Sequence, residues 1–430
     1  MAFGGGKFTI QNKKLPGAYI NFVSLNSPVA GEFSRGVAAM GLQLGWGPEG
    51  ELFTVTRAAF RKDAIGIFGY PYDAPELMGV RELFCNAHTL RVCRLNSGGA
   101  CAQNSFAEAK YSGVRGNAIV TVIAANGEKW DVKTVVDGSV MDSQTVAATA
   151  ELHDNAWCSF KAEAALAANA GEPMRGGTDG AVTVQSHLDF MDRLQSYSFN
   201  AIGAVSDESA EDALKLNKLY ADFAVRMRDE VGVKFQAVLY NHAADHEGVV
   251  NVKNCAELVY WATGLAAAAA VNASALNMIY NGELEIQADY TQQQLEEAID
   301  AGEFALHRVN EELRVLADIN SLTHFTDEKG AIFRQNQTVR VVDAAATELA
   351  GVFTGKYLGR IPNNASGRIS LWADMVKIFR DLERMGAIES FDEKGVHVEA
   401  GEENGGVVAR AENINVVGAM EKLYMTIVIQ

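Results

Sequence analysis

The chain has 430 residues, 48% of them apolar and 21% charged, with only seven prolines; that is core enough for two to four packed domains and little for long disordered linkers. Fifty-four acidic against thirty-seven basic residues leave a net charge of −17, which argues against nucleic acid or an anionic membrane as a partner. Five cysteines, odd in number and without a C-x-x-C pair, read as reduced and mostly buried thiols of a cytoplasmic product.

Residues 1–27 carry Lys7, Lys13 and Lys14 and no acid, and the opening "MAFGGGKFTI" has no apolar signal core. "GGGKF" lacks the G-x-x-x-x-G-K-[ST] spacing of a phosphate loop and reads as part of an arm. Within it "LPGAYINFV" is a predicted strand with Pro16-Gly17 as entry. Ala18, Ile20 and Phe22 share one face, Tyr19, Asn21 and Val23 the other, and no hairpin partner stands beside it. Residues 28–96 mix strands at "GVAAMGLQL", "ELFTVT" and "TLRVCRL" with helices at "AAFRKDAIGIFG" and "PELMGVRELFCN". From 97 to 182 helical periodicity fades. There "NAIVTVIAA", "KWDVKTVVDG" and "TVAATAEL", separated by Asn-Gly and Asp-Gly signals, predict hairpins of a β-rich insertion.

Residues 183–330 return to alternating helix and strand. Helices at "QSHLDFMDRLQSY" and "SAEDALKLNKLYADFAVRMRDEVG" precede the strands "FNAIGAV" and "KFQAVLY", as in a doubly wound α/β domain split by the insertion. "LVYWATGLAAAAAV" is too short and alanine-rich to span a bilayer and predicts an internal helix. Residues 331–415 predict a helix near Thr338–Tyr357, a loop "GRIPNNASGR", a helix "ISLWADMVKIFRDLERMG" and a hairpin. The hairpin has Val396, His397 and Val398 in one strand and Val407, Val408 and Ala409 in the other. Residues 416–430 close with "EKLYMTIVIQ": Leu423, Met425, Ile427 and Ile429 face one way, Tyr424, Thr426 and Val428 the other. No charge after Lys422 blunts this edge, so the strand requires a partner.

Catalytic chemistry is hard to find. No G-x-S-x-G elbow is present, and Ser274 in "VNASALN" reads as a small packing residue. His242 and His246 in "NHAADHEG" stand four apart, but in a loop and outside an H-E-x-x-H frame; a solvated loop is favoured over a metal site. Any pocket is expected at the carboxyl ends of the sheet strands, including Tyr240–Asp245. On the helix Ile369–Met385, Leu371, Met375, Ile378, Leu382 and Met385 form an apolar stripe, and Lys377, Arg380 and Arg384 cluster opposite. Arg368 precedes this helix and Arg360 lies in the loop before it. The strip reads either as a surface for an acidic partner or as a solvated face tempered by Asp374, Asp381 and Glu383.

Four separated stretches, in order, carry a resemblance: "LPGAYINFVS", "AKYSGVRGNAIVTVI", "FRQNQTVRVVDAAATELAGVFTGKYLGRIPNNASGRISLWADMVKIFRDLERMGAIESF" and "AMEKLYMTIVIQ". Together they resemble the contractile tail sheath proteins of myophages and phage-tail-like bacteriocins, over essentially the whole chain and most densely at its ends. The resemblance implies a subtilisin-like doubly wound α/β domain with a β-rich insertion, an α+β C-terminal assembly domain and terminal strand arms. It implies no enzyme, no cofactor, no nucleic acid and no membrane. It implies a homo-oligomer of stacked hexameric rings around a tail tube, joined to baseplate and tail-terminator components, whose contraction drives the tube through a target envelope. Such a protein belongs to a virion tail or tail-like particle assembled in the bacterial cytoplasm. Residues 18–23 and 423–429 would be donated to the hairpin of another subunit, hinging near Ser24–Gly31 and Asn415–Met420, while Arg368, Lys377, Arg380 and Arg384 would face the tube. A static self-assembling shell and an α/β hydrolase are the alternatives.

Overall fold

The computed structural model describes residues 35–206, 211–402 and 405–429; the predicted strand Ala18–Val23 and the linker Ser24–Gly31 lie outside them. The chain opens with β1 (Val37–Leu42), β2 (Leu52–Thr56), α1 (Arg57–Phe68), α2 (Met78–Phe84) and β3 (Thr89–Arg94). Thr56 caps α1 by accepting from Ala59 N, and Gly69, at φ 80°, ends it in the left-handed conformation that glycine adopts without strain.

Seven strands follow without an intervening α-helix: β4 (Cys101–Gln103), β5 (Ala107–Ser112), β6 (Ile119–Asn126), β7 (Lys129–Val136), β8 (Ser139–Val146), β9 (Cys158–Phe160) and β10 (Asn169–Pro173). They form a four-stranded sheet, β10-β6-β7-β8, and a three-stranded one, β4-β5-β9. Inward residues of both sheets, among them Ala107, Ile119, Ile123, Val132 and Cys158, share one core. Trp46, from the segment after β1, enters that core and stacks on Trp157 at 5.0 Å between ring centroids. The third strand stands earlier than "TVAATAEL" suggests. The Asp137-Gly138 turn, both residues at positive φ, launches β8 at Ser139, and the chain leaves the sheet after Val146. Its polar residues sit on a sheet edge, so they do not alternate cleanly with apolar ones.

Next come α3 (Val184–Leu194), β11 (Ala201–Ala204), α4 (Glu211–Arg226), β12 (Gln236–Tyr240), β13 (Val249–Val252), α5 (Leu258–Ala268), α6 (Gln292–Asp300), β14 (Glu303–Phe304), β15 (Leu306–Val309) and β16 (Glu312–Val315). A seven-stranded sheet runs β14-β13-β12-β11-β1-β3-β2, parallel throughout except for the edge strand β2. Alternate residues of its strands serve two cores. Ala38, Met40, Val238 and Val250 pack with Phe60, Leu83 and Trp261 from α1, α2 and α5. Ala39, Ile202, Ala237 and Leu239 pack with Phe190, Leu194, Tyr220 and Phe223 from α3 and α4. Helices thus cover both faces, as a parallel sheet requires. Each fully buried phenylalanine or leucine here contributes about 2 kcal/mol by leaving water. The apolar run at 258–271 forms the internal helix α5 as far as Ala268, with Trp261 at 0% exposure. α5 meets α2 so closely that a Cβ on Gly264 would stand 2.2 Å from Leu83 O. Among the described residues no helix is long and apolar enough to cross a membrane.

The last part holds α7 (Asn336–Val352), extended by a π-helical turn over Phe353–Tyr357, then α8 (Ala365–Arg384), β17 (Ile388–Glu389), β18 (Val396–Ala400), β19 (Val407–Ala411) and β20 (Asn415–Val416). α8 begins inside the stretch expected to be loop, because Asn364 Oδ1 accepts from Gly367 N at 2.9 Å and caps it. The first turns of α7 are buried against the seven-stranded domain through polar groups. Arg228 and Asp343 form a two-pronged pair at 2.7 and 2.8 Å. Arg340 reaches Asp318 at 2.6 Å and Ala273 O at 2.7 Å. Asn336 joins Asp318 and Gln236 at 3.0 and 2.8 Å. Ser274, expected only to fill space, also accepts from Leu276 N at 3.1 Å beside this network.

Candidate assembly interface

β18 and β19 pair antiparallel, with Val396 opposite Ala411 and Ala400 opposite Val407. Glu412 N donates to Gly395 O at 3.0 Å and Gly401 N to Gly406 O at 2.8 Å, closing the two ends. Bonded and non-bonded pairs alternate along such a ladder. These closures therefore turn the backbone groups of Val398 and Ala400 to one edge and those of Val407, Ala409 and Ala411 to the other. The indole N–H of Trp372, in α8, donates to Val396 O at 2.9 Å and occupies the start of the β18 edge. Among the described residues no third strand covers either edge. Val396 is buried on the face toward α8, with Val398, Val407 and Ala411 half-buried beside it; His397, Glu399, Val408 and Arg410 are on the other face.

Beside the β19 edge lies a cleft walled by Phe353, Leu358, Ile361, Leu371 and Val407, with Arg368 at its rim. It forms where the π-helical turn, the loop after it, the start of α8 and the hairpin meet.

The C-terminal segment emerges close to these elements in sequence but takes no regular structure after Val416. Leu423, Tyr424, Met425, Ile427, Val428 and Ile429 are 69–89% exposed, a run of apolar surface that calls for a cover. Its root is fastened. β20 pairs with β17, Val417 N donates to Ala387 O at 3.0 Å, and Gln337 Nε2 donates to both Val417 O and Asn272 O at 3.0 and 3.2 Å. Asn415–Val417, expected to be part of a hinge, therefore belong to the folded body. Where the described residues begin, Arg35 donates to Ala266 O and Ala269 O at 2.7 and 3.0 Å, closing the end of α5. Burial, with Arg340 nearby, brings its guanidinium down to about 10, still charged at neutral pH. Asn200 Oδ1 takes both Gly36 N and Val37 N at 3.0 Å.

The cations of α8 are exposed but not bare. Lys377 pairs with Asp381 at 2.8 Å and Arg384 with the same carboxylate at 2.6 Å. Arg380 pairs with Glu393, and Arg368 donates to Asn363 Oδ1 at 2.9 Å. Asp381 is 7% exposed by its side chain while Lys377 and Arg384 reach 58% and 77%, so two of the three cations lie over a buried carboxylate and Arg380 pairs with a half-exposed one. Leu371, Met375, Ile378 and Leu382 are buried on the far side as the periodicity predicts, and Met385 is half-buried.

The two histidines do not form one site. His242 N donates to Asn251 Oδ1, whereas His246 contacts Asp229 at 3.1 Å. Asp229, His246 and Glu247 stand close enough to hold a metal ion, but the Lys329 ammonium already sits there, 2.8 Å from Glu247 and 3.9 Å from Asp229. Burial pushes the Glu247 carboxyl up, and Lys329 and His246 more than offset it. Asp245, at the expected pocket position, is spent on Thr323 and His324. Burial raises its carboxyl, but those bonds bring it down to about 2. A cleft of about 400 Å³ lies instead against α1 and α2, where Arg81 pairs with Glu283 and buried Glu82 is satisfied by Tyr280 and Glu283 N.

Four family models match in succession: "Tail sheath protein Gp18 domain III N-terminal region" over residues 35–95, "Phage tail sheath protein beta-sandwich domain" over 94–179, "Phage tail sheath protein central domain" over 180–321 and "Phage tail sheath C-terminal domain" over 328–430. The chain is 29% identical to the phage-like element PBSX protein XkdK of Bacillus subtilis, over 98% of this chain and 99% of that one. It is 30% identical to the Bacillus subtilis protein YqbK, over 80% and 81% of the two chains. A solved sheath tail protein from Desulfitobacterium hafniense superposes with a TM-score of 0.82 at 34% identity, covering 95% of this chain and 99% of that one. The contracted helical sheath of the anti-feeding prophage shares the fold at 12% identity and a TM-score of 0.54, over 97% and 99% of the two chains. Matched along nearly all of its described length, the chain belongs to the phage tail sheath protein family and is a structural component of a phage tail or tail-like particle, not an enzyme.

Proposed function

We propose that the protein is the repeating subunit of a contractile sheath, polymerising as stacked hexameric rings around a tail tube and contracting to drive that tube through a target envelope. One observation carries the reading: Leu423–Ile429 is exposed and alternates like a strand, while among the described residues no strand covers either edge of the β18–β19 hairpin. The arm of one subunit completes the hairpin of another by strand addition, with Ala18–Val23 as the second donated strand and Val396–Val398 and Val407–Ala409 as the acceptors. Each added main-chain hydrogen bond contributes about 1 kcal/mol net. Arg368, Lys377, Arg380 and Arg384 face the tube, and the sheath ends on baseplate and tail-terminator components. Assembly takes place in the bacterial cytoplasm.

The division into arms 1–27 and 416–430, an α/β domain of 28–96 and 183–330, an inserted domain of 97–182 and an assembly domain of 331–415 belongs to the same reading. So does a subtilisin-like, doubly wound character for the seven-stranded sheet, which its two helical layers support. Deleting Leu423–Gln430 tests the proposal: the subunit should stay folded and soluble by circular dichroism yet fail to polymerise by negative-stain microscopy. Sheaths of normal length from the truncated chain would refute strand donation.

A further inference from the structure

We infer that the chain from residue 323 on is hung on the seven-stranded domain by a polar joint that opens as a unit, the two sides parting while each stays folded. The apolar cores stop short of this joint. Among the described residues none after Val315 belongs to any of the three. The C-terminal part buries an apolar set of its own, with Leu371, Val376, Phe379 and Leu382 on α8.

Two patches, both largely polar, connect the sides. One is the start of α7: the Arg228–Asp343 and Arg340–Asp318 pairs, the Gln236–Asn336 bond, and Gln337 Nε2 on Asn272 O. Val339 and Val341 are buried beside them. The other is a strap over residues 323–330, and the loop after β12 holds both of its legs. Asp245 accepts from Thr323 N, Thr323 Oγ1, His324 N and His324 Nδ1 at 2.7–3.0 Å. Lys329 Nζ donates to both Glu247 carboxylate oxygens at 2.8 and 2.9 Å. Asp245 makes these bonds at φ 52°, a left-handed conformation that a non-glycine residue adopts at a cost and that parting would relieve.

Such a joint differs from an apolar seam in what parting returns. Two apolar faces pulled apart are left in water, whereas a separated ion pair regains the hydration of both charges, which repays most of the lost attraction. Deleting one partner gives no such return, because the other charge stays buried. Arg228 Nε, Gln236 Oε1, Thr338 Oγ1 and Arg340 Nε bond to no protein group in the closed joint, so parting breaks nothing at those atoms. Regions held by few apolar contacts open well below the free energy of global unfolding.

Native-state hydrogen exchange of the free full-length subunit, read amide by amide, tests this. Three amides bond across the joint: Thr323 N and His324 N to Asp245, and Asn336 N to Asp318 O at 3.0 Å. They should exchange at one common rate, about a hundredfold or more faster than the amides of β11 and β12, while amides inside α8 keep their protection. Arg228→Met should speed all three by about a hundredfold or more, and adding Asp343→Leu should return them to within about thirtyfold of the parent. Lys329→Met, a milder change that stands in if Arg228→Met does not fold, should speed them about tenfold. Exchange of the three at the rate of the sheet would show a single cooperative body, and loss of α8 protection at the joint's rate would show unfolding in place of parting. Either result overturns the inference. So does a Lys329→Met chain in which Thr323 and His324 speed up and Asn336 does not, since the strap would then be fraying alone.

Discussion

Replacing Arg228 by methionine should cost about 3–5 kcal/mol, the range for stripping one partner from a buried ion pair. The side chains of Arg228 and Asp343 are 3% and 8% exposed, and both Asp343 carboxylate oxygens are held by this one guanidinium. In Arg228→Met the carboxylate loses both of its guanidinium hydrogen bonds and its paired charge, and Phe235 O loses its 2.7 Å donor as well. Adding Asp343→Leu removes the orphaned charge, so the double variant should recover most of the loss and stand within about 1–2 kcal/mol of the parent. Urea unfolding of all four members of the cycle, followed at the transition that melts α7, measures this. The reasoning fails if Arg228→Met alone costs under about 1 kcal/mol, the worth of an exposed pair, or if the double variant is less stable than either single one.

Trp372→Phe keeps the ring packing but loses the bond to Val396 O, and should weaken docking of the hairpin on α8 by about 1 kcal/mol; unchanged amide exchange in β18 and β19 would contradict that. Arg380→Glu should detach sheath from tube more readily at low salt, and Glu393→Arg added to it should restore local stability without restoring attachment. Co-sedimentation with tube across a salt series separates a positional role from simple pairing. His187 is buried against Tyr220, 2.9 Å from its hydroxyl, and burial brings its imidazole down to about 4. The folded state therefore holds it neutral while the unfolded chain protonates near 6.5, so its contribution is intact above pH 6.5 and is lost as pH falls toward 4, on the order of 2 kcal/mol. A His187→Phe chain should have a flatter stability profile over that window, and an equal slope would exclude His187 as its cause. Gly264→Ala places a methyl 2.2 Å from Leu83 O and should destabilise by about 1–3 kcal/mol in a thermal melt; a neutral result would mean α2 and α5 can separate freely.

Elements whose signals are local were legible in the sequence. "IVTVIAANG" and "KWDVKTVVDG" carry strand alternation ended by turns that the structure realises, with Gly127 and Gly138 at positive φ. The alanine-rich run gives itself away by length and composition. β8 was displaced because Ser139, Asp142 and Ser143 occupy an exposed edge, where no core enforces a period of two. On α8 the Lys377–Asp381 and Asp381–Arg384 pairs follow helical spacing and could be read directly, but the Arg380–Glu393 pair depends on a turn that folds the chain back. The Arg228–Asp343 pair spans 115 residues, and no local pattern announces it. The same holds for the cleft, whose walls come from α7's last turn, the loop after it, α8 and β19. The C-terminal arm is the easiest part to see and the hardest to place, since among the described residues no strand pairs with it.

The fastening of Arg35 and Val417 has a mechanical consequence. Arg35 grips Ala266 and Ala269, and Gln337 ties Asn272 to Val417, so the roots of both arms bear on one short stretch at the end of α5. A pull applied between the arms runs through that stretch, through a few side-chain hydrogen bonds and through the first turn of α7. It also enters the seven-stranded sheet through β1, which follows Arg35 directly, whereas the inserted β-domain shares in none of these bonds.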